Sequence, residues 1–226
     1  MAVTLDNSAS LSYSTSASRS TSFTCSGSNR LLVVTIQTRG DSSHVSVSSV
    51  TYNGVALTNQ VAINETGFGV CRVEIWTLIA PATGSNTLQI NWGAGSIARN
   101  SVIISSYNGV NQTTPVSDSD STQGDADTFS LSLTLPSGGL IVDSAFSLIN
   151  SPGSSQLTVD AGQTLIANVG QSTDTDTSGS SYKTSSGTVG WDTSGTAIFA
   201  YCAIAIDQST GGASGKPDQY YRMMRG

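Results

Sequence analysis

The chain has 226 residues, enough for one large all-β domain or two small ones, and long enough to bury a core without staples. Charged residues make up only 11%, and a net charge of −6 argues against a general nucleic-acid binder while leaving room for a local basic contact. No run approaches the roughly 18 apolar residues of a membrane span, so neither nucleic acid nor membrane is expected as a partner.

The N-terminal MAVTLDNSASLSYSTS lacks the basic and apolar regions of a secretory signal, so synthesis and folding in the cytoplasm are expected. Helical periodicity is absent, because Gly, Ser and Thr interrupt every window. Strand signals then follow one another. RLLVVTIQTR (30–39) starts as a continuous apolar run and continues in alternation, as a central strand does. VSSVTYNGVALTNQVAI (47–63) reads as strand, turn, strand, with Asn53-Gly54 supplying the positive φ of a tight hairpin. CRVEIWTLIAP (71–81) alternates Val73 and Ile75 against Glu74 and Trp76, with the latter pair expected to face outward. NTLQINWG (86–93) and SVIISSYNGV (101–110) continue the series. QTTPVSDSDSTQGDADT (112–128) is acidic and Ser-rich and reads as a boundary or a long surface loop. DTFSLSLTLP, GLIVDSAFSLI, QTLIANV, SYKTSS, GTVGWDTS and TAIFAYCAIAID complete a set of about ten to twelve strands. The expected fold is an all-β antiparallel β-sandwich of the jelly-roll type, two sheets of four to six strands over residues 1–210, with an extended C-terminal tail at 211–226. An immunoglobulin-like pair of sandwiches is the second choice.

Three strand-rich stretches and the turn after a fourth, NRLLVVTIQ, VSSVTYNGVALT, VEIWTLIAPATGSNTLQINW and SSYNGVNQTTPV, resemble a family of jelly-roll-like β-sandwich domains of phage virion proteins and bacterial surface proteins. The likeness spans roughly residues 20–207 and implies a structural or adhesive module, glycan-binding in its wider relatives. It supplies no catalytic or binding residues.

Chemical constellations are sparse. His44 is the single histidine and no G-x-S-x-G elbow accompanies it, so a Ser-His-Asp hydrolase is disfavoured and His44 reads as a solvated loop residue. Arg39-Gly40-Asp41 is an isolated adhesive-looking tripeptide. DTDTSG places Asp174, Asp176 and Ser178 on alternate positions, like the start of a calcium loop, but Ser185 stands where the bidentate glutamate belongs. Asp118, Asp120, Asp125 and Asp127 form a second acidic stretch that reads as solvated. No metal or other cofactor is assigned. Glu74 beside Trp76, with Trp92, Trp191 and Tyr182, would suit a sugar platform; core packing is the competing reading. Cys25, Cys71 and Cys202 cannot all pair; Cys25 with Cys71 is one option, free thiols in a reducing compartment the other.

The tail carries the most pointed signal. Residues 1–210 hold six basic and fourteen acidic side chains, whereas GGASGKPDQYYRMMRG (211–226) holds three and one. A glycine-rich hinge leads to Tyr220, Tyr221, Arg222, Met223, Met224 and Arg225, residue types enriched at the centres of protein interfaces. These six are the expected partner-binding residues. The composite expectation is a non-enzymatic bacteriophage virion protein, a capsid decoration or cement protein. It would dock through its tail on the major capsid protein or on neighbouring copies, as a homo-oligomer such as a trimer. A carbohydrate-binding module that touches host surface glycans is the alternative.

Overall fold

A computed structural model describes residues 2–67, 70–149, 157–170 and 175–209. Among them are fifteen β-strands and no helix. The first nine are β1 (Thr4–Ser14), β2 (Ser18–Cys25), β3 (Leu31–Gly40), β4 (Val47–Tyr52), β5 (Val55–Ala56), β6 (Thr58–Asn64), β7 (Cys71–Ile79), β8 (Gly84–Trp92) and β9 (Ile97–Asn108). They build a five-stranded sheet, in the order β1-β9-β3-β7-β6, and a four-stranded sheet, β2-β8-β4-β5. The antiparallel pairings nest: β1 with β9, β2 with β8, β3 with β7, β4 with β5. That is a long hairpin rolled up on itself, the jelly roll. At its tip, Asn53 and Gly54 both have positive φ, 51° and 77°, and join β4 to β5 in a two-residue turn.

The remaining strands are β10 (Val116–Leu133), β11 (Leu140–Ile149), β12 (Thr158–Val159), β13 (Thr164–Val169), β14 (Asp176–Lys183) and β15 (Gly187–Ile206). They form a third sheet, β10-β15-β11-β14-β13, with β12 added on β15. This sheet packs on the outer face of the five-stranded one, so the two expected sheets are three. The reason is legible in β3. Leu31 and Val33 enter a cluster with Phe146, Cys202 and Ile204 of the third sheet, while Leu32, Val34 and Ile36 enter a cluster with Leu88 and Ile90 of the four-stranded sheet. A strand that is apolar on both faces needs cover on both. β15 makes the same demand. Ile198, Ala200, Cys202 and Ile204 face the jelly roll, and Phe199, Tyr201, Ala203 and Ala205 face away.

The outward side of β15 is covered by the chain's own excess length. β10 and β15 run 18 and 20 residues, and their pairing shifts between Ala126 and Thr128. Beyond that irregularity the ribbon folds back, placing Phe129, Leu131, Val189 and Trp191 over Ile141, Ala145 and Tyr201. Phe129 stacks on Phe199 with ring centroids 4.0 Å apart. Trp191 lies so close to β14 that a Cβ on Gly179 would sit 2.6 Å from its ring, which is why that position has no side chain.

The acidic stretch at 112–128 is therefore mostly strand, not loop. β10 is an edge strand whose Asp118 and Asp120 alternate with serines, and charge on an edge discourages pairing with other chains. β1 and β2 were not among the expected strands. Both lie at sheet edges and are mostly half-exposed or exposed, so they carry little apolar alternation.

Candidate functional site

The expected partner-binding residues Tyr220, Tyr221, Arg222, Met223, Met224 and Arg225 lie outside the described residues. The described chain ends at Ser209, and its last residues are held in place. After β15, Asp207 N–H donates to Pro115 O (2.9 Å) and Asn111 N–H to Asp207 O (2.9 Å). Gln208 bridges to Val110, and Ser209 N–H donates to Gly109 O (2.6 Å). The chain is thus stitched to the 109–115 loop as far as Ser209. Near this exit lies a shallow groove of about 270 Å³, lined by Thr58, Gln60, Thr77, Leu78, Ile79, Pro115 and Val116.

The sugar-platform residues do not share a face. Trp92 is buried between the jelly-roll sheets and donates to Thr38 Oγ1 (2.8 Å). Trp191 is buried under the folded-back ribbon, and Tyr182 packs against the cluster between the jelly roll and the third sheet. Glu74, expected to face outward, is buried. It points with half-buried Trp76 toward the four-stranded sheet, where its carboxylate accepts from Arg72 Nε (2.6 Å), Val47 N (2.9 Å), Trp76 Nε1 (3.0 Å) and Asn59 Nδ2 (3.1 Å). Sheet alternation placed the pair on one face correctly. The error lay in taking that face as solvent, because the second sheet covers it.

The calcium-like stretch is strand β14 rather than a loop. Asp174 lies outside the described residues. Asp176 is fully buried and faces Arg39 (2.8 Å) and Arg99 (3.5 Å), a cationic setting that suits no divalent ion. Ser178 Oγ lies 2.8 Å from Ser101 Oγ within the interface between sheets. Among the described residues no three His, Cys, Asp or Glu side chains come together as a metal site. The Arg39-Gly40-Asp41 tripeptide is engaged: Arg39 by Asp176, and Asp41 by Ser96. His44 is half-buried rather than solvated, with Nε2 against Glu65 O. None of the three cysteines is in a disulfide, and all are buried. Cys25 lies in the jelly-roll interior and Cys71 on the opposite face of the five-stranded sheet, so the pairing option is closed.

The densest polar cluster was missed. Asp143, midway along apolar β11, is wholly buried beneath the ribbon. Its Oδ1 accepts from Ser181 Oγ (2.9 Å), Ser181 N (3.1 Å) and Trp191 Nε1 (3.2 Å). Its Oδ2 accepts from Tyr201 OH (3.0 Å) and Gln163 Nε2 (3.0 Å). Burial pushes its carboxyl up to about 6, outweighing the donors, which favour the charged form. Tyr201 is in turn held well above the usual phenol range by burial and by Asp143. The available signal was one aspartate inside GLIVDSAFSLI, since a lone charge in a doubly apolar strand must find buried partners.

No family model, curated protein or solved structure matches the chain.

Proposed function

We propose that the chain is a non-enzymatic virion structural protein of a bacteriophage, a capsid decoration or cement protein that docks through Tyr220–Arg225. The observation that carries this reading is the pinned exit at Asp207–Ser209. The body is three stacked sheets, and the sequence that follows its pinned end has the composition of an interface core. The basic tip suits an acidic groove or sheet edge on a capsid protein or neighbouring copy. Bridging such neighbours stabilises a shell because the segment binds only the assembled state. A closed homo-oligomer, a trimer in this reading, matches the symmetry of shell positions. The glycan-binding alternative loses the aromatic face that suggested it.

The test is deletion of 211–226. The truncated protein should keep the melting temperature of the full chain, lose its oligomeric state in light scattering, and no longer co-sediment with shells of the phage that encodes it. A truncated protein that still oligomerises and still co-sediments overturns the reading.

A further inference from the structure

The cluster around Asp143 contains the parts of an acyl-transfer site together with its own substrate. Ser181 Oγ donates to the Asp143 carboxylate (2.9 Å) and accepts from the Gln163 carboxamide nitrogen (2.7 Å). The carboxamide oxygen of Gln163 accepts from the backbone N–H of Gly190 (2.6 Å). Reversing the amide would set its oxygen against the carboxylate and its NH₂ against an N–H, so the network fixes its orientation. With a C–N bond of about 1.33 Å, the carbonyl carbon can be no more than about 4 Å from Ser181 Oγ.

We propose that Ser181 and Gln163 condense to an intramolecular ester, with Asp143 as the base, stapling the start of β13 to β14. Ser181 Oγ attacks Cδ of Gln163 after the carboxamide turns its face toward it, and its proton passes to Asp143. The negative charge that develops on Oε1 falls where the Gly190 N–H already points, as in an oxyanion hole. Collapse breaks the Cδ–Nε2 bond. Asp143, whose Oδ2 is 3.0 Å from that nitrogen, returns the proton, and ammonia leaves. An oxygen–carbon bond has replaced a nitrogen–carbon bond, with no change of oxidation state. Asp143 is suited to the role because its carboxyl, raised to about 6, is a stronger base than an ordinary aspartate. Trp191 Nε1 and Tyr201 OH hold it in place.

Exchange of an amide for an ester is unfavourable in bulk solution. Here the two groups are held together, where effective molarities reach about 10⁵–10⁸ M, and the ammonia is diluted into solvent. Ser181, Asp143, Trp191 and Tyr201 are all buried, which keeps water from the product, while half-buried Gln163 offers the ammonia a way out. The reaction needs the folded ribbon, because Gly190 and Trp191 come from β15 and Gln163 from the turn before β13.

Intact mass spectrometry of the full chain, kept folded for several days near neutral pH and then denatured, reads the outcome. The protein should be about 17 Da lighter than its sequence, the mass of one ammonia lost in acyl transfer. A protease digest should contain one branched peptide joining residues 163 and 181 that hydroxylamine cleaves, and Ser181→Ala should restore the full mass. A mass equal to that of the sequence overturns the proposal. So does a deficit that fragmentation maps to any other site, such as a cyclised asparagine. Mapping on the unsubstituted chain decides the matter even if Ser181→Ala fails to fold.

Discussion

Replacing Glu74 by Ala tests whether this carboxylate is a structural anchor rather than an exposed group. The substitution removes the acceptor for four donors at once: Arg72 Nε, Val47 N, Trp76 Nε1 and Asn59 Nδ2. Breaking a buried ion pair by removing one partner costs about 3–5 kcal/mol, because the other charge stays behind. Arg72 is 19% exposed and also donates to Asn64 Oδ1, so it recovers part of its solvation and the pair contributes toward the lower end. The stranded backbone N–H of Val47, fixed in β4, adds about 1–3 kcal/mol. Asn59 is exposed and Trp76 half-buried, and both reach water at small cost. The sum is about 4–6 kcal/mol, a large part of the stability of an ordinary domain. Urea unfolding followed by tryptophan fluorescence measures it. Substituting Arg72 and Glu74 together by Met should cost less than the two single changes added, with coupling of about 1 kcal/mol or more. A Glu74→Ala protein within about 1 kcal/mol of the parent would refute the reasoning and return Glu74 to the status of a surface carboxylate.

Three further outcomes are expected. Asp143 has its folded-state value raised from 3.8 to about 6, so its contribution is fully present below pH 4 and is lost as pH rises through 6. In a Ser181→Ala background, where the ester cannot form, the stability of Asp143 protein relative to Asp143→Asn should fall between pH 4 and pH 7 by on the order of 3 kcal/mol; parallel curves in urea titrations at each pH would contradict this. Gly179→Ala should destabilise by about 1–3 kcal/mol, because the new methyl meets the Trp191 ring on a strand paired on both sides, and calorimetry reads the drop in melting temperature. Cys25, Cys71 and Cys202 are buried and their thiols pushed up by burial, so a thiol reagent at pH 8 should modify none of the three in native protein and all of them in denaturant.

Strand-borne features were the readable part of the sequence. β3, β7, β8, β9, β11 and β13 fall where apolar runs or alternation place them, and the Asn53-Gly54 hairpin has the geometry that its residues require. Sheet edges were not readable. β1 and the first half of β10 are strands because β9 and β15 offer them a hydrogen-bonding partner, and a Ser/Asp-rich segment carries no local sign of that offer. The third sheet was foreshadowed by β3 and β15, whose two apolar faces demand a layer on each side, yet two-sheet reasoning gives each strand only one. The Asp143 cluster gathers residues from β11, β14, β15 and the turn before β13. Its spacing in the chain means nothing until the ribbon folds back. The one local trace is the aspartate itself.

Each layer boundary in this molecule contains a polar network as well as an apolar cluster. Glu74 sits between the two jelly-roll sheets. Gln37, with Ser101 and Ser144, spans the boundary with the third sheet, where its Nε2 donates to Ser144 Oγ (2.6 Å) and its Oε1 accepts from Ser101 Oγ (2.8 Å). Asp143 ties the ribbon to the outer face. Apolar contact between flat sheets is non-directional and permits a layer to slide or rotate at modest cost. A buried donor–acceptor set does not, because a displacement of one residue leaves its groups unpaired in a low-dielectric interior. The networks therefore set the register between layers, while the clusters supply the bulk of the cohesion. Replacing Gln37, Ser101 and Ser144 together by apolar residues of similar size should on this argument leave the unfolding free energy nearly intact. The relative position of jelly roll and third sheet should become heterogeneous instead, visible as doubled or broadened amide signals confined to β3, β9, β11 and β14. A single sharp set of signals at undiminished stability would show that apolar shape alone fixes the stack.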